Sequence, residues 1–415
     1  MDSLLFVDVH CHVFGLSHPD FLGYLEWLRH RRFEAIYSQV SSPNFVLASL
    51  VSKGGARFRN FLAVLERESE EILELIEDDL LGLFAKAGDP EALVQDGRLR
   101  IGDLEFSRIL VVPLVIDFGR RQDFPTGNYY DRQPQKHVER QVDDLLEGIA
   151  AYRRSRPGGL LEIRPFLGVN TACRGMDDLC SILETSFQGW EPGEGDSTLT
   201  FASMAGCSSG NTPDVAFAGV KLYPPLGFDP WPVDGQERDK ADFLFGFCER
   251  RGIPIVTHCD DQGLRSVPLE EAWTIGSPER WKEPLARHPE LRVDFAHFGM
   301  RYANPKGEAS ERSWSRTIMA YMREYPGVYA DISFNGCDPD YYPQLLELLE
   351  SEDRGGVAIA DRLLFGTDFP MSLLKSRSYS DYLRGFSDPG LPDELKLRLC
   401  SINPQRFLFG ASASV

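Results

Sequence analysis

Leu4-Leu5-Phe6-Val7-Asp8-Val9-His10-Cys11-His12 is an apolar run that ends in a His-x-His pair. On an extended strand successive side chains take opposite faces, so His10 and His12 point the same way and can close on one metal ion while Cys11 points away. The run therefore reads as a buried strand carrying half of a metal site at its end. Two histidines alone decide little, because most histidines are packed or solvated rather than ligands. The weight comes from the rest of the chain.

Seven further runs are short, apolar and bounded by Pro, Gly or polar residues, as buried parallel strands are: Arg108 to Asp117, Glu162 to Asn170, Ala218 to Pro224, Pro254 to Cys259, Arg292 to Phe298, Val328 to Ser333 and Leu363 to Pro370. Helical stretches separate most of them, for example Lys240 to Arg251 and Tyr342 to Ser351. Strands alternating with helices imply parallel pairing through right-handed crossovers, and eight such units close into a (β/α)8 TIM barrel, an α/β fold. An open doubly wound sheet is the alternative; against it, no Gly-x-Gly-x-x-Gly loop follows the first strand.

The expectation is a single domain over residues 1–415 with a helical insertion after the first strand, at about residues 13–105. There Phe58, Phe61, Leu62, Leu65, Ile72, Ile76, Leu80 and Leu83 recur at three- and four-residue steps, one face of a long amphipathic helix. Such a face packs on the chain's own core, caps a pocket, or serves as the arm of a homodimer. Residues 188–213, rich in Gly, Ser, Thr and Pro, read as a flexible loop, either a lid or disordered.

Composition narrows the partners. With 63 acidic against 44 basic residues the chain carries a formal charge of −19, which opposes nucleic acid and anionic membrane surfaces. Eight cysteines (Cys11, Cys173, Cys180, Cys207, Cys248, Cys259, Cys337, Cys400) lack a Cys-x-x-Cys spacing, as suits free thiols in a reducing compartment. The first residues form no basic and apolar leader, and no run reaches 18 apolar residues. A cytoplasmic enzyme acting on a small molecule is expected.

The strands end in polar residues: His10 and His12 on the first, Lys221 on the fourth, His258 on the fifth, His297 on the sixth and Asp368 on the eighth. Lys221 to His258 is 37 residues, His258 to His297 is 39, and His297 to Asp368 is 71, the last spanning two units. In a barrel these positions converge at the C-terminal face, and histidine with carboxylate suits Zn²⁺ or a similar divalent ion. Tyr223, Phe298 and Phe369 flank them and either line a pocket or pack the barrel top. Arg301 and Lys306 follow the sixth strand, as carboxylate clamps or as solvated loop charges.

Val7-Asp8-Val9-His10-Cys11-His12, Gly219-Val220-Lys221-Leu222-Tyr223-Pro224, Thr257-His258-Cys259, Phe295-Ala296-His297-Phe298-Gly299, Leu364-Phe365-Gly366-Thr367-Asp368-Phe369-Pro370 and Asn403-Pro404-Gln405-Arg406-Phe407-Leu408 resemble the amidohydrolase superfamily. The likeness is to its amidohydrolase-related branch of metal-dependent TIM-barrel hydrolases and decarboxylases, over residues 4 to about 410. The resemblance implies one divalent metal, most simply zinc, on His10, His12, His258 and Asp368, with His297 catalytic. It also leaves open a second metal on a carboxylated Lys221 and His297; an unmodified Lys221 would instead neutralise an anionic substrate. The implied reaction is cleavage of an amide, ester or lactone by a metal-activated water, with Asp368 moving the proton and His297 bonding the carbonyl oxygen. The alternative is nonoxidative decarboxylation of an unsaturated or aromatic acid. A barrel that binds without catalysing is the third reading.

Overall fold

The computed structural model describes residues 4–15, 53–119, 138–188, 190, 217–301, 313–352, 359–387 and 390–410. Strand β1 (Leu5–Cys11) is followed by helices α1 (Lys53–Leu65) and α2 (Ser69–Leu80), and by three short strands, β2 (Val94–Gln95), β3 (Arg98–Ile101) and β4 (Leu104–Phe106). Strand β5 (Arg108–Pro113), helix α3 (Val138–Ser155), and strands β6 (Leu161–Ile163) and β7 (Phe166–Gly168) come next. The remaining strands are β8 (Gly219–Leu222), β9 (Ile255–Thr257), β10 (Val293–Phe295), β11 (Val328–Asp331) and β12 (Leu363–Leu364). Helices follow β7 (α4, Met176–Ser186), β8 (α5, Gly235–Arg251), β9 (α6, Leu269–Gly276, and α7, Lys282–Arg287), β10 (α8, Ser313–Glu324) and β11 (α9, Tyr341–Glu352). After β12 come α10 (Tyr379–Ser387), α11 (Asp393–Leu397) and α12 (Asn403–Phe409).

All eight expected strand positions are occupied, in an α/β arrangement of parallel sheets. Two arcs replace one continuous ladder: a three-stranded sheet β1-β5-β6 and a six-stranded sheet β12-β11-β10-β9-β8-β7, with every pair parallel. Isolated bridges link the arcs at both seams, Leu114 to Phe166 and Cys11 to Phe369. Backbone hydrogen bonds accompany them, Val9 N to Phe365 O at 3.1 Å and Val115 N to Phe166 O at 3.1 Å. The third expected strand is broken between β6 and β7 around Pro165, which has no N–H to donate. The sixth and eighth stop short of their expected ends because His297 (φ 60°), Phe298 (φ 52°) and Asp368 (φ 53°) leave the extended region for a left-handed one.

The strands have distinct inner and outer faces. Leu5, Val7 and Val9 of β1 form one cluster with Leu110, Val112, Phe166, Val256, Tyr329 and Leu364, and Phe407 and Leu408 of α12 pack into it. Phe6 and Cys11 belong instead to the larger cluster shared with the helices. Strict alternation would place Cys11 with Leu5, Val7 and Val9; the register of β1 on β5 shifts between Asp8 and Cys11, and this bulge resets the phase. Cys11 thereby faces the outer layer, as expected, and the histidines on either side of it turn inward. The described cysteines are free thiols.

The insertion differs from expectation. One long helix is replaced by two, because the chain turns at Glu66–Glu68 and restarts with Glu68 N donating to Glu71 Oε2 at 3.2 Å. Phe61, Leu65, Ile72, Ile76 and Leu80 are buried in the chain's own core, whereas Phe58 and Leu83 at the ends of the stripe are exposed. The antiparallel sheet β2-β3-β4 was absent from the sequence reading. Of the loop expected at 188–213, only residues 188 and 190 are described, and Lys306 also lies outside the described residues. Among the described residues no helix is long and apolar enough to cross a membrane.

Candidate metal centre

His10 and His12 leave the end of β1 and meet Asp368, which follows β12. His12 Nε2 lies 3.3 Å and His10 Nε2 3.5 Å from the same Asp368 Oδ1. The far side of each ring fixes its proton. His12 Nδ1 is 2.8 Å from the carbonyl oxygen of Leu114, an atom that only accepts, so the proton sits on Nδ1. His10 Nδ1 is 2.7 Å from Asp331 Oδ2, which assigns its proton in the same way. Both Nε2 lone pairs then face a carboxylate oxygen with no proton between them.

Three electron-pair donors that converge in this manner fit a divalent cation. Ligands at 2.0–2.2 Å in a tetrahedral site would stand roughly 3.3–3.6 Å apart, close to the spacing seen. All three residues are buried. Burial lowers His10 to about 3, so the ring is a neutral ligand. For Asp368 burial acts upward, but His12, His10 and His297 outweigh it and hold the carboxyl below its ordinary value.

His258 and His297 form a neighbouring group around Asp260. His258 Nε2 is 3.1 Å from Asp260 Oδ1 and 3.3 Å from the carbonyl oxygen of Gln262, and His297 Nε2 is 3.7 Å from Asp260 Oδ2. Among the described residues the structure thus brings His10, His12 and Asp368 into one donor group and His258, Asp260 and His297 into another, and a third, His10, His297 and Asp331, joins the two. The expected set of His10, His12, His258 and Asp368 is not gathered as a unit: His258 Nε2 faces two acceptors and serves as a donor. His10 and His297 adjoin, with ring centroids 4.9 Å apart.

Lys221 is buried and its Nζ has no hydrogen-bond partner among the described residues. Burial lowers it to about 8, against the pull of Asp331, Asp294, Asp368 and Asp260. Tyr223 stacks on His258 at 4.2 Å and 12°, and its hydroxyl accepts from Leu264 N at 3.2 Å. Phe298 is buried in the outer core rather than facing a cleft. Arg301 lies over Trp314, 5.5 Å from the ring centre, with Nε 4.0 Å from Asp261 Oδ2.

The sequence reading missed Asp331, Asp260, Ser333 and Asp8. Asp331 ends a strand in the same way as His297 and Asp368, so the strand-end rule applied to β11 would have found it. Asp260 follows His258 by two residues. Burial acts upward on its carboxyl, but His258 and His297 bring it down to about 2.

Residues 214–410 match the family model described as Amidohydrolase. This stretch of the chain is similar to that family. It contains Lys221, His258, His297, Asp331 and Asp368, while His10 and His12 lie outside it. Amidohydrolases of this family are metal-dependent, which agrees with the histidine and aspartate groups described above. A search of curated proteins finds no match.

Among solved structures, an amidohydrolase II is 12% identical, covering 97% of this chain and 99% of its own at a TM-score of 0.44. Amidohydrolase 2 from Bifidobacterium longum subsp. infantis is 13% identical, with 98% and 99% covered and a TM-score of 0.42. A probable 2-pyrone-4,6-dicarboxylic acid hydrolase from Acinetobacter baumannii, with citric acid bound, is 12% identical, with 72% and 99% covered and a TM-score of 0.39.

Proposed function

We infer that this chain is a metal-dependent hydrolase that cleaves an amide, ester or lactone bond of a small molecule, built as a single (β/α)8 domain whose two arcs act as one barrel. The observation that carries the reading is the convergence of His10 Nε2 and His12 Nε2 on Asp368 Oδ1, with both Nδ1 atoms already engaged. A divalent cation held there would polarise a carbonyl and make water acidic enough to react near neutral pH. Asp368, depressed and ionised, accepts a proton and passes it to the leaving group.

His297 takes a different role from the one expected. Its Nδ1 lies 3.2 Å from the carbonyl oxygen of Ser333, so the neutral ring presents a lone pair at Nε2. Donation to a carbonyl oxygen requires the imidazolium form, with Asp260 as counter-charge; the neutral form receives a proton. Lys221 offsets the charge of the surrounding carboxylates. One cation is favoured over two, because His258 Nε2 is occupied as a donor to Asp260 and Gln262.

The test combines metal analysis of purified protein with a panel of amides, esters, lactones and unsaturated or aromatic carboxylic acids, measuring acid production against CO₂ release. About one equivalent of divalent metal with acid production is expected. CO₂ release without acid would establish decarboxylation instead. Less than about a tenth of an equivalent, with no activity on adding metal, would overturn the reading.

A further inference from the structure

Between the two histidine groups lies a segment that contributes no ligand to the His10, His12 and Asp368 set, yet engages His297 at three atoms. Asp331, at the end of β11, accepts His10 Nδ1 on Oδ2 at 2.7 Å. Its Oδ1 accepts the backbone N–H of His297 at 3.0 Å, the backbone N–H of Ser333 at 2.9 Å, and the Ser333 hydroxyl. Ser333 Oγ stands 3.0 Å from His10 Nδ1 and 3.0 Å from His297 Nδ1. Asn335 Nδ2 donates to the carbonyl oxygen of His297 at 3.0 Å. Backbone N, carbonyl O and Nδ1 of His297 are thus all tied to Asp331–Asn335, which holds that residue at φ 60°.

We propose that Asp331 and Ser333 are positioning residues that lock His10 and His297 into their Nδ1–H tautomers and link the two histidine groups. As an imidazole has one proton to place, fixing it on Nδ1 leaves Nε2 as a lone pair, the form a cation or a proton can use. The linkage closes consistently. Asp331 takes the proton of His10 and that of the Ser333 hydroxyl, and the lone pairs of that hydroxyl together with the Ser333 carbonyl take the proton of His297. Movement of Asp331 therefore reaches both rings. All of these atoms are buried, so water offers little competition. The tautomer assignment rests on this structure alone; its consequence for metal rests on the metal-dependent reading above.

Asp331→Asn distinguishes the roles of the two oxygens. Oδ1 faces three donors and Oδ2 one, so the amide settles with its oxygen toward the three and its NH₂ toward His10. His10 Nδ1 must then accept, and its proton moves to Nε2. Imidazole ¹⁵N–¹H correlation spectra of the metal-free full-length protein should show His10 and His297 as Nδ1–H in the wild type and His10 as Nε2–H in Asp331→Asn. His12, bonded to Leu114, should stay unchanged as an internal control. Competition with a chromophoric chelator should show Zn²⁺ affinity reduced about ten- to hundredfold.

If Asp331→Asn does not fold, Ser333→Ala decides: it removes the hydroxyl at His297 Nδ1 and leaves only the Ser333 carbonyl there to compete with Asp260 Oδ2 at Nε2, so the His297 signals should move toward a mixture of tautomers. Unchanged tautomers in the variant that folds, or mixed tautomers in the metal-free wild type, overturn the proposal. A wild type with the expected tautomers that takes up no divalent metal supports the lock and counts against the metal-dependent reading alone.

Discussion

Asp368 holds φ 53° without being glycine, and the support for that conformation comes from the outer side of β1. Asp8 Oδ1 accepts Thr367 N at 3.0 Å and His10 N at 3.2 Å, while Oδ2 accepts Thr367 Oγ1 at 2.6 Å and Tyr379 OH at 2.9 Å. One buried carboxyl thus ties the residue before Asp368 to the first histidine. Burial nevertheless pushes Asp8 up to about 7. Asp8→Ala would remove the acceptor of His10 N, Thr367 Oγ1 and Tyr379 OH, Thr367 N keeping the His10 carbonyl oxygen at 3.1 Å, and should lower stability by about 3 kcal/mol in urea unfolding; wild-type stability would show that water replaces the carboxylate. A pH effect follows from His10, which burial lowers to about 3 in the folded chain against about 6.5 unfolded. The unfolded chain binds the proton first, so the stability contribution is complete above about 6.5 and is lost as pH falls toward 3. Metal-free protein should therefore unfold more easily at pH 4 than at pH 7, and His10→Asn should flatten that slope.

Helices α2 and α3 show what periodicity can and cannot say. Ile72, Ile76 and Leu80 do form the buried stripe that their spacing implies, and Ile76→Ala should cost about 3 kcal/mol by denaturant titration. A cost below about 1 kcal/mol would mean that the insertion packs loosely on the rest of the core. The turn at Glu66–Glu68 escaped the pattern because a helix break that keeps the apolar face in phase leaves the spacing intact. Glu77, also on α2, is buried and accepts from Tyr152 OH of α3 at 2.6 Å and from Leu160 N at 3.1 Å. No one-dimensional pattern pairs residues 75 positions apart. The same limit governed the site. His10, His12, His258, His297 and Asp368 were legible as strand ends, but their grouping depends on which acceptor each Nδ1 or Nε2 meets, and those acceptors come from other strands and the turns that follow them: Asp331, Leu114, Asp260 and Ser333.

At the scale of the whole molecule, the two seams decide how the arcs behave. Val9 N and Val115 N cross them with 3.1 Å bonds, comparable to those within the sheets. If the arcs move as one body, these two amides should exchange with deuterium as slowly as Leu110 and Val256. Exchange faster by about a hundredfold at either seam would mean that the wall opens there. The bulge in β1 carries a different kind of consequence. Because the register shifts after Asp8, the residues that fill the interior and those that reach the rim obey separate alternations on one strand. Floor and rim are to that extent thermodynamically modular. Val7→Ala and His12→Asn, five positions apart on the same strand, should have free-energy effects that sum in the double variant to within about 0.5 kcal/mol. Parallel sheets built in this way can exchange the chemistry of their rim while leaving the packing of their floor undisturbed.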